Sequence, residues 1–137
     1  MFTGIRGAAA LVLLFVAVGC GGTPTEPEPV YPIKTQNYAG TLALGGSAAF
    51  HFEVVNPGLI TITITGLSPT AVPMGHDLGY WQAATETCVA GLSTNNGLLN
   101  VAVAGDPDSP GEYCVGISDV NNQLQVPTAF TLVVTHY

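Results

Sequence analysis

The chain has few side chains that could assemble a catalytic site. Nucleophilic catalysis needs a nucleophile, a base and a group that orients the base, and the sequence contains no Gly-x-Ser-x-Gly segment. Among its histidines only His76 has a carboxylate beside it, that of Asp77. One such pair is little evidence for proton transfer or metal binding. We therefore expect a protein that is not an enzyme, with a small hydrolase or a metal-binding protein as the second alternative.

Two further carboxylates lie close together in a loop-forming segment. Asp106 and Asp108 are separated by one proline and followed by Ser109. Calcium prefers several oxygen ligands supplied by loops, so this segment could bind Ca²⁺. The spacing matches no EF-hand loop, and the prolines also suit an ordinary turn with solvated acids. We expect no cofactor, and we retain Ca²⁺ at Asp106 and Asp108 as the alternative.

Tyr80 and Trp81 are the best candidates for ligand contact. Aromatic rings on the face of a sheet can stack on sugar rings, although the same rings also suit a core. Carbohydrate binding requires both rings to be exposed on one face and coplanar. Hydrolysis of a sugar would need two carboxylates at a defined separation, and no pair stands out. Carbohydrate binding through Tyr80 and Trp81 is therefore the first alternative function.

The charge of the chain excludes one class of partner. The formal net charge is −7, and the only strong bases are Arg6 and Lys34. Such a surface repels phosphate backbones, so we expect no nucleic acid partner. It also offers nothing that attracts anionic lipid, so any attachment to a membrane must have another source.

The N-terminal segment has the composition of a secretory signal. Arg6 supplies one positive charge, and an uninterrupted apolar run of 11 residues follows over Ala8–Val18. A membrane-spanning helix needs about 20 residues, so this run better fits the apolar part of a signal peptide. A buried helix or an uncleaved anchor is the alternative.

The last two residues of this run and the two that follow it resemble the lipobox of bacterial lipoproteins. Ala17, Val18, Gly19 and Cys20 follow its order of an apolar residue, a small residue, glycine and cysteine, although the family prefers leucine where Ala17 stands. The resemblance implies a signal peptide over residues 1–19, cleavage between Gly19 and Cys20, and acylation of Cys20. An unmodified or disulfide-bonded Cys20 is the alternative. Two or three acyl chains would hold the protein firmly at a membrane.

A short linker follows the cysteine. Residues 20–36 include four prolines and two glutamates, which disfavour a helix or a central strand, and we expect a flexible, extended tether. The predicted location is the cell envelope, outside the cytoplasm. Position 21 is glycine and not aspartate, which by resemblance to the sorting pattern of enteric bacteria favours the outer membrane in a Gram-negative organism.

With Cys20 as the lipid site, Cys88 and Cys114 remain. An exported compartment permits disulfides, and an even remainder leaves no unpaired thiol. We predict a bridge between Cys88 and Cys114. A reactive pair or a metal site is the alternative, although neither a Cys-x-x-Cys spacing nor a nearby histidine cluster supports it.

Several short segments within residues 37–137 alternate between apolar and polar side chains with a period of two. The clearest case is Ile60–Thr65, where isoleucine and threonine alternate, and this pattern predicts a half-buried strand. Turn signals at Asn56–Gly58 and Asn95–Gly97 separate such segments, and the first predicts a hairpin between its flanking strands. Short strands without a helical period predict an all-β protein, an antiparallel β-sandwich of about seven or eight strands.

Several of these segments resemble the bacterial pre-peptidase C-terminal domain family. The matches are Gly40–Leu42, Gly45–Ser47, Phe50–Phe52, Gly58–Ile64, Pro110–Ile117 and Phe130–Val134. The resemblance implies a jelly-roll-like sandwich that binds polymers or assists the secretion or folding of hydrolases. The chain departs from the family in its Cys88 and Cys114 pair. Together these observations predict a non-enzymatic envelope lipoprotein with a binding or structural domain, whose partner is an envelope polysaccharide or protein.

Overall fold

The structure is a computed structural model, and it describes residues 30–69 and 71–137. The predicted signal peptide, the cleavage site between Gly19 and Cys20, the lipidation of Cys20 and most of the predicted linker lie outside the described residues. The first strand begins at Lys34, so regular structure starts three residues before the predicted domain boundary at residue 37.

The domain consists of eight strands. They are β1 (Lys34–Leu42), β2 (Ser47–Val54), β3 (Ile60–Ser68), β4 (Met74–Gln82), β5 (Thr87–Gly97), β6 (Ala102–Gly105), β7 (Gly111–Ser118) and β8 (Thr128–His136). The described residues contain no helix that is long and apolar enough to cross a membrane.

The strands form two antiparallel sheets of four. The first sheet has the order β1-β8-β3-β6, and the second sheet has the order β2-β7-β4-β5. Successive strands therefore lie in opposite sheets up to β4, which is the strand order of a jelly roll. The prediction of an all-β, jelly-roll-like antiparallel sandwich is confirmed.

The core lies between the two sheets, and the alternating pattern of each strand directs every second side chain into it. Ile60, Ile62 and Ile64 of β3 are fully buried, as their alternation with threonine predicts. The second sheet contributes Phe52, Tyr113, Val115 and Ile117, and β8 contributes Phe130, Leu132 and Val134. Burial of these side chains is the main stabilising contribution to the fold.

Two predictions about turns are wrong. Asn56–Gly58 does not close a hairpin, because β2 pairs with β7 while β3 pairs with β6 and β8. This turn instead carries the chain from one sheet to the other. Asn95–Gly97 lies inside β5 and makes no turn there. Glycine is needed at position 97 because a Cβ would lie 2.2 Å from Nδ1 of the buried His76 ring.

Candidate functional site

The disulfide between Cys88 and Cys114 shapes the outer face of the second sheet. Cys88 belongs to β5 and Cys114 to β7, which are the two strands that flank β4. Two strands that have another strand between them normally lie almost 10 Å apart. The Cα atoms of Cys88 and Cys114 are nevertheless only 5.6 Å apart. The start of β5 therefore bends over β4 toward β7. The predicted disulfide is confirmed, and it fixes this bend.

Glycine at position 79 lets the bend occur. Gly79 lies in β4, paired with Cys114 on one side and with Ala90 on the other, and the register of β5 shifts at this point. A Cβ at Gly79 would lie 2.0 Å from the carbonyl oxygen of Val89. No larger residue fits beneath the bent strand in this geometry.

The bend creates a groove of about 310 Å³, which we call the outer groove. One side is formed by the beginning of β5 and the turn before it, and the other side by β2 and β7. The lining residues are Ser47, Ala48, Ala49, Asp77, Glu86, Thr87, Cys88, Gly116, Ile117 and Ser118. Small side chains along β2 and β7 keep the groove open, while carboxylates and hydroxyls supply its polar groups.

Two carboxylates line the outer groove from different strands. Asp77 of β4 lies beside Gly116, whose absent Cβ would be 3.1 Å from Asp77 Oδ2. Glu86 lies in the turn before β5 with a φ of 51°, which is a left-handed conformation that few residues other than glycine and asparagine adopt. Because Lys34 is the only lysine or arginine among the described residues, both carboxylates are available to hydrogen-bond a ligand that carries donors.

An aromatic pair lies on the same outer face. The rings of His51 and Trp81 stack with centroids 4.9 Å apart and an angle of 20° between their planes. Trp81 is paired with Cys88 across the β4–β5 hairpin, and His51 is two residues from Ala49 in β2. The pair therefore adjoins the outer groove. His51 is exposed and Trp81 is half-buried.

The structure does not bring Tyr80 and Trp81 together on one face. They are neighbours in β4, so their side chains point to opposite sides of the sheet. Tyr80 packs against Tyr113 with ring centroids 4.9 Å apart and keeps 55% of its surface exposed. Both tyrosines line a cleft of about 150 Å³ at the β5 and β6 edges, which we call the edge cleft. A single coplanar platform of Tyr80 and Trp81 is not formed.

The acidic loop lies next to the edge cleft. Asp106 and Asp108 are both exposed, and Asp106 lines the cleft together with Tyr80. The hydroxyl of Tyr113 donates a hydrogen bond of 2.7 Å to the carbonyl oxygen of Ser109, which ties this loop to β7. Burial raises the pKa of Tyr113 by more than the hydrogen bond to Ser109 lowers it, and the neighbouring Tyr80 and Asp108 raise it further. Within residues 30–69 and 71–137, no three His, Cys, Asp or Glu side chains are grouped to hold a metal ion.

His76 and Asp77 also lie on opposite faces of β4. His76 points into the core, where it is 1% exposed and neither ring nitrogen has a hydrogen-bond partner. Burial lowers the pKa of His76, and the nearby charge of Asp77 only partly offsets this effect. The two residues therefore do not form an acid–base pair, since only Asp77 reaches the outer groove.

Sequence reasoning missed three contributors to the outer groove: Gly79, His51 and Glu86. One signal was available, because a glycine inside a strand pattern marks a close approach of another backbone, and a cysteine pair limits where that approach occurs. The stacking of His51 on Trp81 could not be predicted from the sequence. It depends on the strand order of the second sheet, in which only β7 lies between β2 and β4.

No protein-family model matches the chain, and no curated protein matches it either.

Proposed function

We propose that the chain is a non-enzymatic cell-envelope lipoprotein, anchored through Cys20, whose β-sandwich is a binding domain. The outer groove is its ligand site. The observation that carries this proposal is the bend of β5, which a disulfide and Gly79 hold over the sheet so that a concave surface forms. Preformed concave sites with a few polar groups are the usual form of ligand sites.

The residues around the groove favour binding over catalysis. His51 is stacked on Trp81, His76 is buried on the other face, and the His136 ring bonds to the carbonyl oxygen of Tyr137. None of these histidines is among the residues that line the groove. A small hydrolase therefore has no support from this geometry beyond the carboxylates themselves.

Carbohydrate binding is the second candidate, and one observation favours it. Trp81 adjoins a groove that combines two carboxylates with the hydroxyls of Ser47, Thr87 and Ser118. Sugars are commonly held by an aromatic ring together with acceptors for their hydroxyl groups. In this version of the proposal Trp81 contacts the sugar, whereas Tyr80 lies in the edge cleft and takes no part.

The anchor is tested by mass spectrometry of the protein extracted from membranes. We expect a mature chain that begins at Cys20 and carries acyl chains there. A mature chain that retains residues 1–19, or an unmodified thiol at Cys20, would refute the lipoprotein assignment. It would leave the groove proposal to be tested separately.

The groove is tested by binding measurements with purified peptidoglycan, envelope polysaccharide and soluble oligosaccharides of glucose and N-acetylglucosamine. Asp77→Asn and Trp81→Ala should each weaken binding at least about tenfold. Asp108→Asn is the matched control, because Asp108 is exposed and is not among the residues that line the groove. If all three variants bind these probes like the wild type, the outer groove is not the site.

A failure of every saccharide to bind would remove the carbohydrate version only. The binding domain is then tested by affinity capture from solubilised envelope with the wild-type protein and Asp77→Asn in parallel. A protein captured by the wild type and lost in Asp77→Asn supports the proposal. Equal capture by both would place the contact elsewhere and contradict it.

A further inference from the structure

The edge cleft exposes an aromatic ring that belongs to the core side of its sheet. The residues of β4 that face the core are Met74, His76, Leu78 and Tyr80, and the first three are buried. Tyr80 continues this row but keeps 55% of its surface exposed. Leu92, the partner of Leu78 in β5, is also 40% exposed. The apolar interior of the sandwich therefore continues into the edge cleft and reaches the surface there.

The backbone leaves the edge cleft open. Leu92 and Ala90 of β5 pair with β4, but the pairing skips Gly91 between them, so β5 bulges at this point. Gly91 and Gly105 line the cleft and contribute no side chain to fill it. β6 ends at Gly105, and the wall continues through Asp106. The opening is thus a feature of both strands that border it.

The volume of the edge cleft limits what it can hold. About 150 Å³ accommodates one benzene-sized group, whereas sites for drug-sized ligands occupy about 300–1,000 Å³. Most of the wall is apolar or aromatic, formed by Leu78, Leu92, Pro107 and the rings of Tyr80 and Tyr113. One slender side chain with an apolar stem therefore fits the cleft, whereas an oligosaccharide does not.

The charged groups at the edge cleft select the charge of the occupant. Asp106 lines the cleft and is exposed, and Asp108 is close enough for its charge to raise the pKa of Tyr113. Lys34 lies in β1, at the opposite edge of the first sheet from β6. The described part of the chain therefore supplies neither carboxylate with a lysine or arginine partner. An anion would be repelled, whereas a bare metal ion would gain nothing from the apolar wall.

The surroundings of the edge cleft favour a polypeptide as the source of the occupant. Within the described residues, β5 and β6 are each paired on one side only. The backbone groups along such an edge can hydrogen-bond an extended segment of another protein. β5 is 11 residues long and mostly exposed. A free amine would gain only the cleft, whereas a peptide gains the cleft and a strand edge. The net charge of −7 also attracts a basic partner.

We propose that the edge cleft binds one lysine or arginine side chain presented by an extended segment of a partner protein. The methylene stem packs on Leu78, Leu92 and Pro107, and the charged head lies against the exposed ring of Tyr80, beside Asp106. Long basic side chains commonly bury the stem and keep the head at the surface, and tyrosine rings attract cations. This site is independent of the outer groove, which lies on the other face of β4.

The experiment is a titration of the ¹⁵N-labelled full chain, purified from membranes in neutral detergent, followed by NMR. The probe is a blocked pentapeptide of threonine and valine with lysine at its centre. Its control has norleucine there, which keeps the stem and lacks the ammonium group. The lysine peptide should shift the amide resonances of Gly91 and Gly105 and bind at least about fivefold more tightly than the norleucine peptide.

Variants separate this site from the outer groove. Asp106→Asn and Tyr80→Leu should each weaken binding of the lysine peptide at least about threefold. Asp77→Asn removes the same charge from the outer groove and should bind like the wild type. Equal effects of Asp106→Asn and Asp77→Asn would indicate general charge attraction and overturn the proposal.

Two further ligands test the chemistry and the source of the occupant. A single lysine blocked at both ends should bind more weakly than the peptide, because it cannot extend along a strand edge. Calcium chloride alone should leave the amides of Gly91 and Gly105 unshifted. The proposal is overturned if the norleucine peptide or the single lysine binds as tightly as the lysine peptide, or if Ca²⁺ produces the same shifts.

Discussion

Gly79 in β4 lies so close to the carbonyl oxygen of Val89 in β5 that an added Cβ would be 2.0 Å from that oxygen. The contact is between two backbones, so no side chain rotation can relieve it. The bend of β5, the position of Cys88 above the sheet and the outer groove all depend on this one missing side chain.

Gly79→Ala should therefore lower the free energy of unfolding by at least about 2 kcal/mol, because the backbone of β5 must move away. Gly91→Ala is the matched control. Its Cβ would meet nothing closer than the carbonyl oxygen of Leu78 at 3.7 Å, so the change should stay within about 0.5 kcal/mol. Urea denaturation of both variants measures the difference, and equal stabilities would contradict this account of the bend.

Replacement of Cys88 and Cys114 together by alanine should destabilise the domain. The bridge closes a loop with a sequence separation of 26, and loss of this constraint costs about 3–4 kcal/mol in the chain-entropy description. That is a large share of the ~5–15 kcal/mol stability of a typical domain. Urea denaturation with and without a dithiol reductant measures it. The reductant should shift the wild type toward the variant and leave the variant unchanged; a variant as stable as the wild type would contradict the prediction.

The fold class was predictable because burial of one sheet face imposes a period of two on the sequence. Ile60, Ile62 and Ile64 had to share a face, and the structure buries all three. Strand partners were not predictable in the same way. The turn at Asn56–Gly58 is compatible with a hairpin and with a crossing between sheets, and only packing of the whole core selects the crossing. Likewise Asn95–Gly97 has turn-forming residues but continues β5, because β4 pairs along its length.

The candidate site was predictable only in part, for a physical reason. Tyr80 and Trp81 are adjacent, so the alternation of a strand separates them, and their separation followed from the pattern itself. The outer groove depends on a distortion of one strand, to which Gly79, Cys88 and Cys114 contribute from three different strands. A periodic pattern describes regular strands and gives no information on where a strand departs from the sheet.

Asp119 joins two loops at one end of the sandwich. Its buried carboxylate accepts hydrogen bonds from the backbone amides of Gly45 at 2.9 Å and Gln123 at 2.7 Å, and from that of Leu124. Burial alone would raise the pKa of Asp119, but these hydrogen bonds outweigh it and lower the pKa. The contribution of Asp119 to stability is therefore present above the pKa of an unfolded aspartate, and it is lost as the pH falls through the lower folded value.

Asp119→Ala should accordingly increase hydrogen exchange at the amides of Gly45, Gln123 and Leu124, which lose their acceptor. Amides in the middle of β7 should keep their protection, because strand pairing holds them. Asp106→Ala is the control, since Asp106 is exposed in a loop and no such effect is expected. Unchanged exchange at these three amides in Asp119→Ala would show that the carboxylate does not hold the loops together.

The buried His76 should make the domain sensitive to mild acid. Burial lowers the pKa of His76 below the ordinary value of about 6.5, since its ring nitrogens have no partner to share a proton's charge. Below that ordinary value, His76 is protonated in the unfolded chain but stays neutral in the folded chain. Stability should be constant above about pH 6.5 and fall below it, by at most about 1.4 kcal/mol per pH unit for one proton.

Urea denaturation between pH 8 and pH 5 measures this dependence, and His76→Leu isolates its source. Leucine cannot be protonated and leaves no unsatisfied nitrogen in the core, so the variant should lose the slope between pH 6.5 and pH 5. His51→Leu leaves the buried ring of His76 in place, since His51 is exposed on the outer face. This variant should therefore retain the slope. A wild type whose stability is flat across this range, or a His76→Leu variant with the wild-type slope, would show that His76 does not control it.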